Sequence, residues 1–85
     1  KAQCVSPEID GRGQLVDEAL GNIDKYIDDA YLAGLKQVTI IHGKGTGALR
    51  NAVQTYLAKN PHVKSYRYGL YGEGEMGVTI AELKG

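Results

Sequence analysis

Apolar side chains in the first part of the chain recur at Val16, Leu20, Ile23, Ile27, Ala30 and Tyr31, the spacing that lines one face of an α-helix. The opposite face of that segment carries Asp17, Glu18, Asp24, Lys25, Asp28 and Asp29, and Gly34 supplies a stop. Leu49, Ala52, Val53, Tyr56 and Leu57 predict a second amphipathic helix that opens near Thr46 or Gly47 and closes at Asn60 and Pro61. Around these helices lie four segments of strand character: Ile9 to Gly13, closed by glycine, the β-branched run Val38 to Ile41, then Val63 to Tyr68 and Gly77 to Leu83. The predicted order is βαβαββ. Strand-helix alternation favours parallel neighbours, whereas the last strand, with no crossover helix before it, is expected to run antiparallel. The expected class is α/β, as a two-layer α+β sandwich with a four-stranded mixed sheet and both helices on one face.

A chain of 85 residues supports one core and leaves no room for a second. Hydrophobic residues make up 42% and charged residues 24%, which places the sequence among folded rather than disordered chains. No apolar run approaches the roughly 18 residues of a membrane-spanning helix and no signal-peptide pattern is present, so a cytoplasmic location is expected. Cys4 is the only cysteine, which excludes an internal disulfide framework and argues against a structural zinc site. Residues 1–7 read as a linker remnant and 8–85 as the domain; beginning at Lys1 rather than Met, the segment is expected to come from a longer protein. Net charge is zero but uneven. Residues 1–40 carry four basic and seven acidic groups, while residues 41–85 carry six basic and three acidic, so a local basic patch in the second half could hold phosphates.

The most informative stretch is His42-Gly43-Lys44-Gly45-Thr46-Gly47, which joins a strand end to a helix start through three glycines. Amides at such a helix start form a natural phosphate seat, with Lys44 and Arg50 as flanking charges. The order G-x-x-x-x-G-K-[ST] is absent, which argues against nucleotide hydrolysis. In an extended first strand Asp10 and Arg12 would share the face away from the core. If the first two strands are parallel neighbours, Arg12 and His42 both lie at carboxyl ends, where ligand sites of α/β sheets gather. Arg12 could then grip a phosphate bidentately and His42 transfer a proton, a combination suited to phosphodiester cleavage. Asp10 could orient either of them or bind a hydrated magnesium ion, although one carboxylate is weak evidence for a metal. Glu73 is the best polar candidate of the long loop 69–77, and Tyr66, Tyr68 and Tyr71 could stack on unpaired bases. The plain alternatives are a tight turn needing small residues, a surface ion pair of Asp10 with Arg12, a strand-end His42 bonded to backbone, and a solvated Glu73.

Ile9-Asp10-Gly11-Arg12-Gly13 with Glu18-Ala19, then Ile40-Ile41-His42-Gly43-Lys44-Gly45-Thr46-Gly47-Ala48-Leu49-Arg50, and finally Gly72-Glu73-Gly74 before Gly77-Val78-Thr79-Ile80, together resemble the Smr (small MutS-related) domain over roughly residues 8 to 83. The Arg-bearing first motif is most similar to Smr domains at the carboxyl end of bacterial MutS-like recombination-suppressor ATPases. The resemblance implies a βαβαββ fold like the carboxyl-terminal domain of bacterial translation initiation factor three, and endonuclease activity that nicks DNA or cleaves RNA. It further implies a parent chain with ATPase and dimerisation domains, acting in suppression of recombination or in ribosome rescue. By motif, Asp10 and Arg12 fall on the first functional segment, and His42, Gly43 and Gly45 on the second. Two positions depart from the family pattern. Gly11 stands where a bulky apolar residue is usual, which puts packing beneath Asp10 and Arg12 in question, and Glu75 replaces a glycine. A non-cleaving module that binds junctions or ribosomal RNA is the second reading, and protein docking on the uncovered sheet face the third.

Overall fold

A computed structural model describes residues 5–43, 47–69 and 77–84. Its elements run β1 (Glu8–Asp10), α1 (Val16–Leu32), β2 (Gln37–Ile41), α2 (Ala48–Lys59), β3 (Val63–Tyr68) and β4 (Val78–Leu83), the order and class expected from the hydrophobic pattern. The sheet order is β1-β2-β4-β3. β1 pairs parallel with β2, and β4 lies antiparallel to both β2 and β3. The last strand therefore occupies the centre, and its near-continuous apolar sequence fits burial on both faces. Thr79, Ala81 and Leu83 are buried on the helix side, Val78 and Ile80 on the other. The face away from the helices is thus buried at its centre rather than presenting open apolar surface.

Both helices pack on one face. Ile23, Ile27 and Ala30 of α1 and Val53 and Leu57 of α2 close over Val38, Ile40, Val63, Ala81 and Leu83. Tyr31 is the exception to the predicted apolar stripe: it is exposed and stacks on the His62 ring at 4.0 Å. The α1 end is built by Gly34, whose φ of 82° lets Leu35 N–H reach the Ala30 carbonyl at 3.0 Å, a closure that a residue with a Cβ resists. At the far end of α2, Asn60 Nδ2 donates to the Tyr56 hydroxyl, which donates to Asp24 Oδ1, both at 2.6 Å, joining the two helices.

The first strand is shorter than the Ile9 to Gly13 expected. Backbone pairing with β2 nevertheless runs from the Pro7 carbonyl, which accepts from Thr39 N–H, to Gly11 N–H, which donates to Ile41 O at 2.8 Å. Beyond Gly11 the chain turns, with Gln14 N–H on the Gly11 carbonyl and Gly13 at φ 81°. Arg12 therefore sits in a turn rather than on a strand face. Upstream, Val5 packs against the core and the Tyr26 hydroxyl donates to Ser6 O.

Candidate nucleic-acid interface

The turn after β1 brings Asp10 and Arg12 together, where a continuous strand would have left them two residues apart on one face. Arg12 N–H donates to Asp10 Oδ1 at 3.0 Å, Arg12 Nε lies 3.0 and 3.2 Å from the two carboxylate oxygens, and Nη2 reaches Oδ2 at 2.6 Å. These bonds hold the Asp10 carboxyl down at about 2, and Asp10 in turn raises the Arg12 guanidinium. The pair is exposed to solvent. The β1·β2 register pairs Asp10 with Ile41, and the Gly11 amide extends the pairing to the Ile41 carbonyl. A Cβ placed on Gly43 would meet Arg12 Cγ at 3.4 Å, so the arginine stem lies against that glycine.

Gly11 itself is buried, with room for a Cβ but with close neighbours around it: an added Cβ would find Ala19 Cβ and Ile41 O at 3.7 Å and Leu49 Cδ2 at 3.9 Å. Leu49 from α2 occupies the space that a large residue at position 11 would take.

His42 directly follows β2 and is 6% exposed. Its Nδ1 lies 2.9 Å from the Gly43 carbonyl and its Nε2 2.8 Å from Thr79 Oγ1. Gln54 Nε2 donates to the same hydroxyl oxygen at 3.4 Å. Burial is the main reason the imidazole titrates below its usual range, opposed by the bond to Gly43 and assisted by the charge of Arg50. Gly43, at φ 79°, lies on this bond, and the His42 and Gly43 amides both donate to Gly77 O.

Arg50 lies in the first turn of α2, a turn that contains no acidic residue, whereas α1 opens with Asp17 and Glu18. Its guanidinium carbon is 5.9 Å from the centre of the Tyr68 ring, within cation-π range. Its buried Nε has no hydrogen-bond partner among the described residues. Gly47 caps the helix at φ 88°, and an added Cβ there would stand 2.6 Å from Arg50 Nη2. A cleft of about 260 Å³ is lined by Gly13, Gln14, His42, Gly43, Gly47 and Arg50 among others. Arg12, His42, Gly43, Gly47 and Arg50 are thus gathered around one sheet edge. Lys44, Gly45, Thr46, Glu73 and Tyr71 lie outside the described residues. Tyr66 and Tyr68 are both partly exposed on β3, on the helix side of the sheet.

Both oxygens of Asp10, the carboxylate that could bind a hydrated magnesium ion, accept hydrogen bonds from Arg12. Among the described residues no three His, Cys, Asp or Glu side chains gather as ligands. Thr79 and Gln54 are site residues that the sequence reading missed. Gln54 carries a signal, lying one helical turn beyond Arg50 on the same face. Thr79 becomes visible only once β4 is placed beside β2.

A family model described as the Smr domain matches residues 9–84. The chain belongs to the Smr family. "Endonuclease MutS2" of Halothermothrix orenii is 62% identical over 84 residues, and that of Caldicellulosiruptor bescii 61% over 84, each match covering 99% of this chain and 11% of the relative. The chain therefore spans about a tenth of the length of these relatives. The crystal structure of the Smr domain of Thermus thermophilus MutS2 superposes with a TM-score of 0.90 at 41% identity, covering 92% of this chain and 98% of that one. The stand-alone small MutS-related protein YdaL of Escherichia coli superposes with a TM-score of 0.88 at 27% identity, covering 93% and 65%. In this Smr domain, among the described residues, no helix is long and apolar enough to cross a membrane.

Proposed function

We propose that this Smr domain binds and cleaves nucleic-acid phosphodiesters, as the endonuclease module of a larger bacterial MutS-like ATPase that nicks DNA or cuts RNA. The observation that carries the reading is the pair of guanidinium groups, Arg12 and Arg50, beside a cleft onto which the acid-free first turn of α2 opens. Arg50, whose Nε has no acceptor among the described residues, presents a guanidinium beside helix-start amides, a combination suited to a phosphate oxygen. The name carried by the relatives, endonuclease, supports the same reading. Suppression of recombination and ribosome rescue would be tasks of the parent chain, with DNA, RNA or the ribosome as partners.

In this reading Arg12 and Arg50 hold the phosphate and neutralise charge that builds on its oxygens in the transition state. Asp10 aims Arg12, and Lys44, Gly45, Thr46, Gly47 and Glu73 are the further candidates for contact with the nucleic-acid backbone. Hydrolysis forms a bond from water oxygen to phosphorus and breaks the bond to one bridging oxygen, which leaves with a proton. His42 belongs to the same centre. A second reading, binding without cutting, is favoured by one observation: both imidazole nitrogens of His42 are already engaged by the protein.

The test is incubation of the 85-residue chain with supercoiled DNA and with structured RNA, in magnesium and in chelator. Nicked circles or RNA fragments are expected, reduced by Arg12→Gln, Arg50→Gln and His42→Ala. Equal product from wild type and all three variants would place any cleavage elsewhere. Salt-sensitive binding with no product in any condition would select the non-cleaving reading.

A further inference from the structure

We infer that Thr79 and Gln54 are positioning residues for this site, fixing His42 as a neutral imidazole with its proton on Nδ1, so that it holds the backbone at Gly43 instead of passing protons. The inference rests on reading the cleft as the nucleic-acid site.

The assignment follows from which atoms can donate. A carbonyl oxygen only accepts, so His42 Nδ1, 2.9 Å from Gly43 O, must carry the hydrogen. A neutral imidazole then presents a lone pair at Nε2, and Thr79 Oγ1 at 2.8 Å must donate to it. Having given its hydrogen away, the hydroxyl oxygen accepts from Gln54 Nε2 at 3.4 Å. The result is a one-way series from α2 through β4 to the end of β2. The other tautomer would set the Nδ1 lone pair against a carbonyl lone pair. The charged form would lose the Thr79 donation inside a site where Thr79 is fully buried, with Arg50 as a nearby positive charge.

Fixing Gly43 matters because its carbonyl is held by His42, its amide by Gly77, and its α-carbon is where the Arg12 stem rests. Thr79, through His42, thereby fixes Gly43 against the Arg12 stem. His42 acts on the substrate through that loop rather than as a donor or acceptor of protons.

Nitrogen-15 NMR of the imidazole in the 85-residue chain at neutral pH reads the tautomer directly, without substrate. A protonated Nδ1 is expected, and a protonated Nε2 would overturn the inference. Thr79→Val keeps the shape but removes the donor; it should displace the Gly43 amide resonance and lower cleavage about tenfold, the effect of orphaning one buried acceptor. Thr79→Ser should restore most of both. Gln54→Glu, at a half-buried position, offers the hydroxyl a competing acceptor and should shift the same resonances in the direction seen with Val. Unchanged resonances and activity in both Thr79→Val and Gln54→Glu would also overturn it. If no nucleic acid is cut by any chain, the tautomer and the Gly43 resonance still decide this inference; an active chain with protonated Nε2 leaves the nuclease reading intact while removing the role given to Thr79.

Discussion

Arg12 holds both carboxylate oxygens of Asp10 through Nε and Nη2, while its aliphatic stem rests against Gly43 on the neighbouring strand's exit. One acidic residue thus aims a guanidinium whose base is anchored on the second functional segment. Arg12 Nη1 has no partner among the described residues, leaving donors for a ligand. Arg12→Gln should weaken nucleic-acid binding and reduce the slope of log affinity against log salt by about 0.7 to 0.9, the share of one phosphate contact. Arg12→Lys keeps the charge but not the fork, and should let the Asp10 carboxyl rise toward 3.8 from about 2. Binding titrations at several salt concentrations and carboxyl NMR check the two halves separately.

Acid should destabilise the fold in a window set by His42. Its imidazole titrates below 6.5 in the folded chain because burial penalises the charged form. The unfolded chain therefore binds more protons just below pH 6.5, and stability should fall as pH drops through that region. Asp10, with its carboxyl lowered from 3.8 to about 2, contributes only in a lower window, losing its effect as pH falls from about 4 toward 2. Urea midpoints measured from pH 7.5 to 5 should decline in the wild type and stay flatter in His42→Asn; parallel curves would contradict the assignment. At the other extreme, Tyr26 and Tyr56 are pushed up to about 12, chiefly by burial, so stability should decline above pH 10 as unfolding releases their protons.

Two glycines should respond oppositely to alanine. At Gly11 a Cβ meets its neighbours at 3.7 to 3.9 Å, ordinary contact, and Gly11→Ala should be neutral or stabilise by up to about 1 kcal/mol through the unfolded chain. At Gly47 the backbone has φ 88° and the new atom would lie 2.6 Å from Arg50 Nη2. Gly47→Ala should cost about 1 to 3 kcal/mol and displace Arg50 from Tyr68, weakening binding as well. Denaturation curves with a parallel binding assay separate the two; a Gly47→Ala chain with wild-type stability would show that the left-handed cap is dispensable.

The N-cap of helix α1 is Leu15, which is 78% exposed and offers no side-chain cap. Leu15→Ser gives up little buried surface and supplies an acceptor for the first-turn amides, worth about 0.5 to 1 kcal/mol. In a domain of this size that is a rise in Tm of about 2 to 8 °C. A thermal scan showing no rise would mean that Asp17 and Glu18 already satisfy that helix end.

The helices and three of the four strands were legible because their signals are local. Ile23 and Ile27, or Val53 and Leu57, repeat at helical spacing, and Gly34 and Pro61 terminate what they follow. The first strand read too long, since Ile9 to Gly13 alternates like a strand while the turn at Gly13 is set by pairing with β2. Convergence of Arg12 and His42 at one edge followed from parallel strands. The partners of His42 did not, because Thr79 lies 37 residues away and its neighbour is decided by β4 entering between β2 and β3. Tyr31, placed on the apolar stripe by its spacing, is exposed and stacks on His62 instead.

The placement of β4 carries a kinetic consequence. β2 and β3 share no hydrogen bonds with each other, so every ladder beyond β1·β2 waits for the last six residues of the sheet to arrive. Those same residues deliver the Thr79 hydroxyl to His42. Closing the sheet and arming the cleft are therefore a single event, and a chain that has not yet docked its final strand carries arginines and glycines near one another without a working arrangement among them.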